Sequence, residues 1–509
     1  MKKESFRETV NTRILDPAAR PRWITWFYTA FTLVMLLHHV YVTIYFPIPE
    51  NGAIPLRFVW VFWAGVTIVL GRMWKDKCFW ILTALLLLKI LRIAIPTPEL
   101  LSETQTVYEL CIYAFYICYG AGRVLGRKNR ERFISLFCAL WTLAMVVYSC
   151  IGLYTAFTGI EVPNLGTRPF TLPPNEKRLW PVYHPVEAGT LAALSMAVAL
   201  VGFFMGKKKP LRWLYLPVLC AIFLLNIFCA SRTSYILSAM AVAIVPAMLL
   251  YETLQKRKKQ GKRSAFLRLG ASFAVFAALT FLLLFVQMRA IPVFNSLKSQ
   301  SLISTAMAEE TAEKPAETIA PEMTDSSEEN IEADDNRLGT RAFVSDEGID
   351  GFLTGRWQIW IHCCSGISHY PIYALIGAGV HDPMHHINYY IRYGLALPYI
   401  YHFHSTFIQT LWESGIPGFL LFTAFFGIFL WNAFLLFRNR KLPFWQRLIP
   451  LPAFLCWLAD MIDCTGYCNW GKPPMTILYL FTGLTIAIAR ENRKQEKARK
   501  GPDVPEALS

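Results

Sequence analysis

Residues 408–437 read IQTLWESGIPGFLLFTAFFGIFLWNAFLLF, and only one of these thirty residues, Glu413, carries a charge. A helix needs about 20 mostly apolar residues to cross a bilayer, so this stretch is long enough to span one. Eleven other apolar segments occur along the chain, which predicts an all-α, polytopic membrane protein with about 12 transmembrane helices. The other predicted spans are 23–46, 54–71, 78–95, 105–122, 133–157, 186–205, 211–229, 232–251, 268–287, 446–463 and 472–489.

The composition excludes a water-soluble globular protein. Of the 509 residues, 54% are hydrophobic and 17% are charged, whereas about 25% of the residues in soluble domains are charged. The apolar segments do not alternate with a period of two, which excludes a membrane β-barrel. The first segment lacks a small-residue cleavage site, so we expect it to be a retained helix and not a signal peptide.

The placement of the basic residues predicts the topology. The net charge is +15, and 35 of the 50 lysines and arginines lie in the N-terminal arm, in alternate turns and in the tail that begins with Arg490. Short cytoplasmic loops retain lysine and arginine, so we expect both termini in the cytoplasm. The basic clusters then indicate anionic lipids as partners and exclude nucleic acid.

This topology divides the chain into five parts. We predict a cytoplasmic arm (1–22), helices 1–9 (23–287), a long extracytoplasmic loop (288–407), helices 10–12 (408–489) and a basic cytoplasmic tail (490–509). The proline-rich outer loop from Thr158 to Pro185 is expected to have an irregular backbone. It places Arg168 and His184 at the outer surface.

The long loop has two compositions. Residues 299–350 are rich in acidic residues and almost free of aromatic ones, which predicts a disordered insertion. Residues 352–401 are rich in aromatic residues, histidine and glycine, which predicts ordered interfacial helices. Within them Trp357, Trp360, Ile361 and Cys364 recur with helical spacing, after Thr354 as a possible N-cap.

Two arginines are candidate anion-binding residues. Arg232 follows Ser231 in a tight outer turn and opens the eighth span, where the first backbone amides and the Thr233 and Ser234 hydroxyls would help to bind an anion. Arg356 lies in the first turn of the predicted interfacial helix, after Gly355. The alternatives are a snorkelling anchor for Arg232 and a lipid-phosphate contact for Arg356.

His404 is the candidate general base, because imidazole titrates near neutral pH and accepts a proton from a hydroxyl. It lies at the outer start of the tenth span. Several other histidines occur in the same loop, so a zinc site is a rival interpretation, but no zinc-ligand spacing occurs. The other histidines are His362, His369, His381, His385, His386 and His402.

These residues resemble a known family. One pattern resembles the signature of the bacterial O-antigen ligase and O-antigen polymerase superfamily. It consists of His404-Ser405, nine intervening residues, and then Gly415-Ile-Pro-Gly418. A Ser231-Arg232 pair that opens a helix, and Gly355-Arg356 with a following Trp360 in the long loop, also resemble that family. Their order and the twelve-helix topology agree with it, and the resemblance covers residues 163–437.

The resemblance implies a metal-independent glycosyltransferase of the C type that needs no cofactor and lies in the cytoplasmic (inner) membrane of a bacterium. Its donor would be a glycan on undecaprenyl diphosphate, and its acceptor a hydroxyl of a glycan or lipid-linked glycan at the outer face, in cell-surface polysaccharide biosynthesis. Arg232 and Arg356 would bind the diphosphate, and His404 would activate the hydroxyl. Ligation and polymerisation both fit.

Four further residues are candidates for substrate contacts, namely Arg168, His184, Ser405 and Glu413. Glu413 would orient the acceptor or pair with an arginine such as Arg392. The chain departs from the family at Tyr183-His184-Pro185, where an Asn-Pro-Asn turn is commoner. It also departs in the length of the acidic insertion.

A flippase or transporter of lipid-linked oligosaccharides is the alternative function, because charged residues within the spans often line a transport pathway. The charged residues in question are Lys89, Arg92, Glu109, Asp460 and Asp463. The absence of two related halves argues against a six-plus-six transporter. A sensor or scaffold that uses the acidic loop is a third possibility. Cys464 and Cys468 lie in the last outer loop, where a disulfide is possible.

Overall fold

The structure is a computed structural model. It describes residues 14–17, 19–45, 54–93, 108–163, 169–171, 179–181, 184–206, 210–256, 262–310, 356–369, 371–379, 403–462 and 472–500. Arg168, Arg392, Cys464, Cys468 and the histidines from His381 to His402 lie outside these residues.

The described chain is mostly helical. In chain order the α-helices are α1 (Arg22–Tyr45), α2 (Ile54–Gly71), α3 (Lys77–Ile93), α4 (Tyr119–Val124), α5 (Arg127–Thr158), α6 (Pro185–Met205), α7 (Tyr215–Cys229), α8 (Arg232–Lys256), α9 (Lys262–Glu310), α10 (Arg356–His369), α11 (Pro371–Ile376), α12 (Thr406–Arg438), α13 (Phe444–Leu448), α14 (Pro450–Ile462) and α15 (Pro473–Lys500). A π-helix, Tyr113–Cys118, precedes α4, and 3₁₀-helices occupy Met73–Lys75 and Pro210–Leu214.

Each of the twelve predicted apolar segments coincides with helical structure. Within the described residues, seven helices are long and apolar enough to cross a membrane. They are Arg127–Thr158, Pro185–Met205, Pro210–Cys229, Arg232–Leu254, Leu267–Ala290, Thr406–Arg438 and Pro473–Glu496. A polytopic membrane protein is thus supported, while the count of twelve spans stays a prediction.

Large apolar side chains on the helix surfaces are consistent with contact to lipid. Phe58 and Phe62 of α2 are 74% and 67% exposed, and Phe273 and Phe281 of α9 are 68% and 72% exposed. A soluble protein rarely exposes so many large apolar side chains in contiguous patches. These faces therefore suit a hydrocarbon environment.

The chain forms two compact units. The first comprises Met1–Met145, Leu194–Leu219 and Phe343–Ser509, and the second Val146–Ala193 and Cys220–Ala342. In the first unit α15 packs against α4, α12 and α14. A Cβ atom on Gly483 of α15 would overlap the carbonyl oxygen of Tyr119, and one on Gly122 would lie 3.2 Å from the Cα of Leu484. Glycine at these positions lets the backbones of α15 and α4 approach closely, as is common between membrane helices.

The second unit contains the α8–α9 pair and a small sheet. Strands β1 (Phe170–Thr171) and β2 (Trp180–Pro181) are antiparallel, with Phe170 opposite Pro181. Val162 also pairs with Phe170. The expectation of a wholly irregular proline-rich loop was therefore wrong, because Pro181 occupies an edge strand, where the missing N–H is tolerated.

Helix α9 ends later than the composition predicts. It continues to Glu310, past the expected start of the acidic insertion at Ser299. Residues 302–310 read LISTAMAEE, which is rich in good helix formers. Extending an existing helix costs less than nucleating one, so the acidic composition alone does not end the helix. The rest of the predicted insertion lies outside the described residues.

The close α4–α15 crossing makes the Gly483→Ala variant informative. The added methyl group would overlap the Tyr119 carbonyl, so we expect destabilisation of about 1–3 kcal/mol from overpacking. A lower unfolding temperature of the purified protein in detergent would show this. Gly65→Ala is the matched control, since a Cβ there meets no heavy atom within 4 Å. Equal unfolding temperatures for the two variants would contradict the proposed crossing.

Candidate functional site

Arg232 is the first residue of α8, in the second unit. Ala230, two residues before Arg232, has a positive φ of 47°, which turns the chain sharply between α7 and α8. The Ser231 carbonyl accepts a hydrogen bond from the Tyr235 N–H at 3.0 Å. Arg232 is half-buried at this helix N-terminus, where the helix dipole favours an anion.

Buried polar groups support the turn before Arg232. The Asn226 side-chain amide donates to the Ser234 carbonyl at 3.3 Å and to the Ser238 hydroxyl at 2.8 Å. The Gln287 amide on α9 donates to the same hydroxyl at 2.9 Å. Buried polar networks of this kind fix geometry because leaving a buried donor or acceptor unpaired is costly.

The Ser234 hydroxyl is not available to an anion in the expected way. It donates to the Ser231 carbonyl at 2.9 Å, and the Ser234 side chain is fully buried. This local bond follows from the tendency of serine to hydrogen-bond its own backbone near a helix start. The part of the prediction that gave Ser234 an anion-binding hydroxyl was therefore wrong.

Arg356 is the first residue of α10, in the first unit. A helix forms where one was predicted, and Arg356 is half-buried at its N-terminus. Thr354, its expected N-cap, lies outside the described residues. The packed face contains Cys363 and Ile367, while Trp357, Ile361 and Cys364 are exposed. The predicted apolar stripe therefore faces mostly outward, consistent with a helix that lies at a membrane interface.

Helix α10 packs onto the residues that precede α12. The Trp360 indole N–H donates to the Phe403 carbonyl at 2.7 Å. Cys363, Ile367, Ala378, Phe403 and Trp412 form one buried apolar cluster, in which the Phe403 and Trp412 rings lie 5.1 Å apart. The helix that begins with Arg356 and the segment that carries His404 are thus held together within the first unit.

His404 occupies a strained backbone position just before α12. Its φ is +50°, in the left-handed region that non-glycine residues rarely adopt. Such positions cost about 1–3 kcal/mol and cluster at functional sites. The residues on either side, Phe403 and Ser405, are buried, whereas the His404 side chain is half-buried. The backbone therefore presents an imidazole from an otherwise buried turn.

A chain of buried polar contacts fixes this turn. The Phe403 N–H donates to Gln409 Oε1 at 3.1 Å, and Gln409 Nε2 donates to Glu413 Oε1 at 2.8 Å. Lys89 Nζ of α3 lies 2.5 Å from Glu413 Oε2, and the two side chains are 3% and 1% exposed. The ion pair therefore links α3, through Gln409, to the backbone beside His404.

Glu413 has partners among the described residues, whereas Arg392, its expected alternative partner, lies outside them. Its two carboxylate oxygens contact Gln409 and Lys89, and its side chain is buried; a substrate contact of Glu413 stays a prediction. A buried carboxylate requires a close cation, which the α3 helix supplies. Lys89 is likewise in an ion pair, which weakens the expectation that it lines a transport pathway.

The Gly415-Ile-Pro-Gly418 motif breaks α12. Gly415 has φ 66° and ψ −170°, a conformation essentially restricted to glycine. The Ala378 N–H donates to the Trp412 carbonyl at 2.6 Å across this break. A Cβ on Gly377 would overlap the Glu413 backbone, and one on Gly415 would lie 2.7 Å from the Ala374 carbonyl oxygen. The glycines therefore let the end of α11 pack into the break, directly after Glu413.

The remaining predicted site residues have local structural roles or are not described. His184 is exposed, and its Nδ1 accepts a hydrogen bond from the Val186 N–H at 3.4 Å at the start of α6. Ser405 is buried at the N-cap position of α12, without a side-chain capping bond. Arg168 lies outside the described residues. Substrate contacts of His184, Ser405 and Arg168 stay predictions.

Across the described ranges, no group of three or more His, Cys, Asp or Glu side chains is placed to hold a metal ion. Gln409 was not singled out from the sequence. Lys89 was singled out only as a charge inside an apolar span, and its pairing with Glu413, 324 residues away, was not predicted.

The Lys89–Glu413 pair predicts a distinctive pattern of stability. Lys89→Met alone would leave the buried Glu413 carboxylate without its cation, and we expect a loss of about 3–5 kcal/mol. Lys89→Met/Glu413→Gln removes both charges and keeps an acceptor for Gln409, so we expect most of that stability to return. Unfolding temperatures of the purified variants in detergent would test this. A double variant as unstable as Lys89→Met would contradict the role of the pair.

Comparison with known protein families places these residues in one matched stretch. Residues 219–423 match the family described as O-antigen ligase. The stretch includes Arg232, Arg356, His404 and the 415–418 motif, so the predicted resemblance is confirmed. The match covers 205 of the 509 residues, and the apolar helices independently support a multi-pass membrane protein. No match was found among curated proteins.

Proposed function

From the match of residues 219–423 to the O-antigen ligase family, we propose that this chain transfers a glycan from undecaprenyl diphosphate to an acceptor hydroxyl at the outer face of the membrane. The observation that carries the proposal is the position of His404. This half-buried imidazole sits on a left-handed backbone turn inside the matched stretch, between two buried residues.

His404 would act as the general base. Its imidazole takes the proton of the acceptor hydroxyl, and the hydroxyl oxygen then forms the bond to the anomeric carbon of the donor. The bond from that carbon to the diphosphate oxygen breaks, and its electron pair leaves with the undecaprenyl diphosphate. General-base catalysis of this kind typically contributes about 10²–10⁴ in rate.

Arg232 and Arg356 would bind the diphosphate. Each is the first residue of a helix, so its guanidinium group and the dipole of its helix both favour an anion. Negative charge builds up on the diphosphate as it leaves, and fixed cationic donors stabilise that charge in the transition state. In this proposal the two guanidinium groups supply the stabilisation without a metal ion.

Lys89, Gln409 and Glu413 would act as positioning residues. Gln409 contacts the Phe403 backbone and Glu413, and Glu413 contacts Lys89. None of the three is needed as a proton acceptor in the reaction. Their contribution is to hold His404 in a conformation that the backbone alone disfavours. Misplacing a catalytic group by about 1 Å is enough to lower a rate about 10²-fold.

A reconstituted reaction tests the proposal. The purified full chain in lipid vesicles receives a synthetic undecaprenyl-diphosphate oligosaccharide with a metal chelator, and undecaprenyl diphosphate release is followed. We expect release by the unaltered protein and a loss of about 10²–10⁴-fold for His404→Ala. Arg232→Ala and Arg356→Ala should also reduce release strongly, because each removes a cation from the leaving group.

Two control variants separate chemistry from folding. His38→Ala removes a histidine of α1 outside the matched stretch, and Arg289→Ala removes an exposed arginine of α9 within it. Both should retain full release. Full activity of His404→Ala and Arg232→Ala would overturn the assigned roles. If the donor crosses the membrane with its glycan intact and no undecaprenyl diphosphate is released, the transporter function is favoured instead.

A further inference from the structure

A basic cavity lies in the first unit, at residues that the proposed reaction does not use. It has a volume of about 680 Å³, within the range of about 300–1,000 Å³ that is usual for small-molecule sites. Four segments line it: residues 15–17 of the N-terminal arm, the turn after α2, the turn between α4 and α5, and residues 487–494 of α15. All four belong to regions that the distribution of basic residues assigns to the cytoplasmic face.

The N-terminal wall of the cavity is fixed by a buried arginine. Arg20 is 6% exposed, and its guanidinium group donates to the carbonyls of Ile14, Val124 and Leu70 at 2.7, 2.7 and 2.9 Å. These bonds tie the arm to the end of α2 and to the end of α4. Specific hydrogen bonds therefore hold this wall of the cavity in place.

The lining is strongly cationic, with seven basic and two acidic residues. The basic residues are Arg72, Lys75, Lys77, Arg123, Arg130, Arg490 and Lys494, and the acidic ones are Asp16 and Glu491. An excess of positive charge in a concave site focuses the electrostatic potential and attracts anions.

Internal ion pairs neutralise only part of this charge. The buried Asp76 carboxylate accepts hydrogen bonds from Arg123 at 2.8 Å and Arg490 at 2.5 Å, and Glu491 pairs with Arg130 at 2.7 Å. Burial alone would raise the pKa of Asp76. The Arg123 and Arg490 guanidinium groups outweigh this effect, so the pKa of Asp76 lies below its usual value. Asp76 is therefore ionised at neutral pH.

The remaining lysines lack such partners. Among the described residues, no acidic side chain forms an ion pair with Lys75, Lys77 or Lys494. The Nε–H groups of Arg123 and Arg130 are buried and have no acceptor in the part of the chain that the structure describes. A buried donor without an acceptor is costly, so these groups favour an acceptor supplied from outside the chain.

The backbone at the edge of the cavity is also unusual. Arg72 has a left-handed conformation with φ 47°, at the turn that leads into the Met73–Lys75 helix. The position places three basic residues, Arg72, Lys75 and Lys77, on one short turn around Asp76. Strain at a non-glycine residue beside a charged cavity is typical of a binding site.

We propose that this cavity binds a phosphate-bearing anion at the cytoplasmic face. The recognising chemistry is a cluster of lysine and arginine side chains, which bind phosphate oxygens through charge-assisted hydrogen bonds. The anion comes either from the headgroup of an anionic lipid or from a soluble phosphorylated compound. This site is separate from the glycan-transfer chemistry and does not depend on it.

The test uses the purified full chain with two exposed lysines altered. Lys75→Gln/Lys494→Gln removes two charges from the cavity without touching the Asp76 ion pairs. Arg440→Gln/Lys441→Gln is the matched control, since it removes two exposed charges that do not line this cavity. Both pairs lie in regions assigned to the same face.

The first arm measures soluble anions. Pyrophosphate is added to the protein in an uncharged detergent, and the unfolding temperature is followed as the concentration rises. A soluble ligand predicts a rise in unfolding temperature for the unaltered protein and the control. The cavity variant should need about tenfold more pyrophosphate, because losing one charged hydrogen bond already costs about that factor.

The second arm measures lipids. Nanodiscs of phosphatidylcholine containing phosphatidylglycerol are compared with pure phosphatidylcholine, and retained lipid is counted by native mass spectrometry. A lipid ligand predicts phosphatidylglycerol retention by the unaltered protein and the control, and at least a twofold reduction for the cavity variant. Weaker binding by the cavity variant than by the unaltered protein and the control, in either arm, supports the proposal. No response in either arm, or an equal reduction in both variants, would overturn it.

Discussion

The Lys89–Glu413 ion pair is the constraint on which the arrangement of the candidate site depends. Both side chains are almost fully buried, in a helical region that is largely apolar. Charges within a membrane protein are expensive unless they are paired, so the pair fixes α3 against the first part of α12. Gln409 then extends this constraint to the Phe403 backbone, one residue from His404.

Two positive backbone angles delimit the short helical segment that carries this network. His404 precedes the segment, and Gly415 ends it. Between them Gln409 and Glu413 lie one helical turn apart and share one face. The break at Gly415 admits the end of α11, whose Ala378 N–H bonds to Trp412. The glycine motif therefore shapes the segment that presents the histidine, and its role is structural.

Sequence reasoning predicted much of this architecture. The apolar segments coincide with helices, and Arg232 and Arg356 each begin one, because span length and helix-start signals are local properties. The order of Arg232, Arg356 and His404 indicated the family before any geometry was known. The extension of α9 to Glu310 was missed, since acidic composition was weighted above the helix propensity of alanine, methionine and glutamate.

The contacts between distant segments were not predictable in the same way. No sequence pattern predicted that Glu413 would pair with a lysine 324 residues earlier in the chain. Only the packing of α3 against α12 makes them neighbours. The basic cavity also depends on tertiary packing, because the charge rule assigns its four segments to one face but does not bring them together. The left-handed turn at His404 had no signal in the residues themselves.

The most direct test of this account is the turnover rate of the Gln409→Met variant in reconstituted vesicles. It is compared with Gly483→Ala, which is expected to lose stability at a remote helix crossing. Gln409→Met removes the bond to the Phe403 N–H and the link to Glu413 at similar side-chain volume. If the network positions His404, kcat per folded molecule falls about 10²-fold with the donor KM unchanged, while Gly483→Ala keeps its kcat. An unchanged kcat for Gln409→Met would contradict the account.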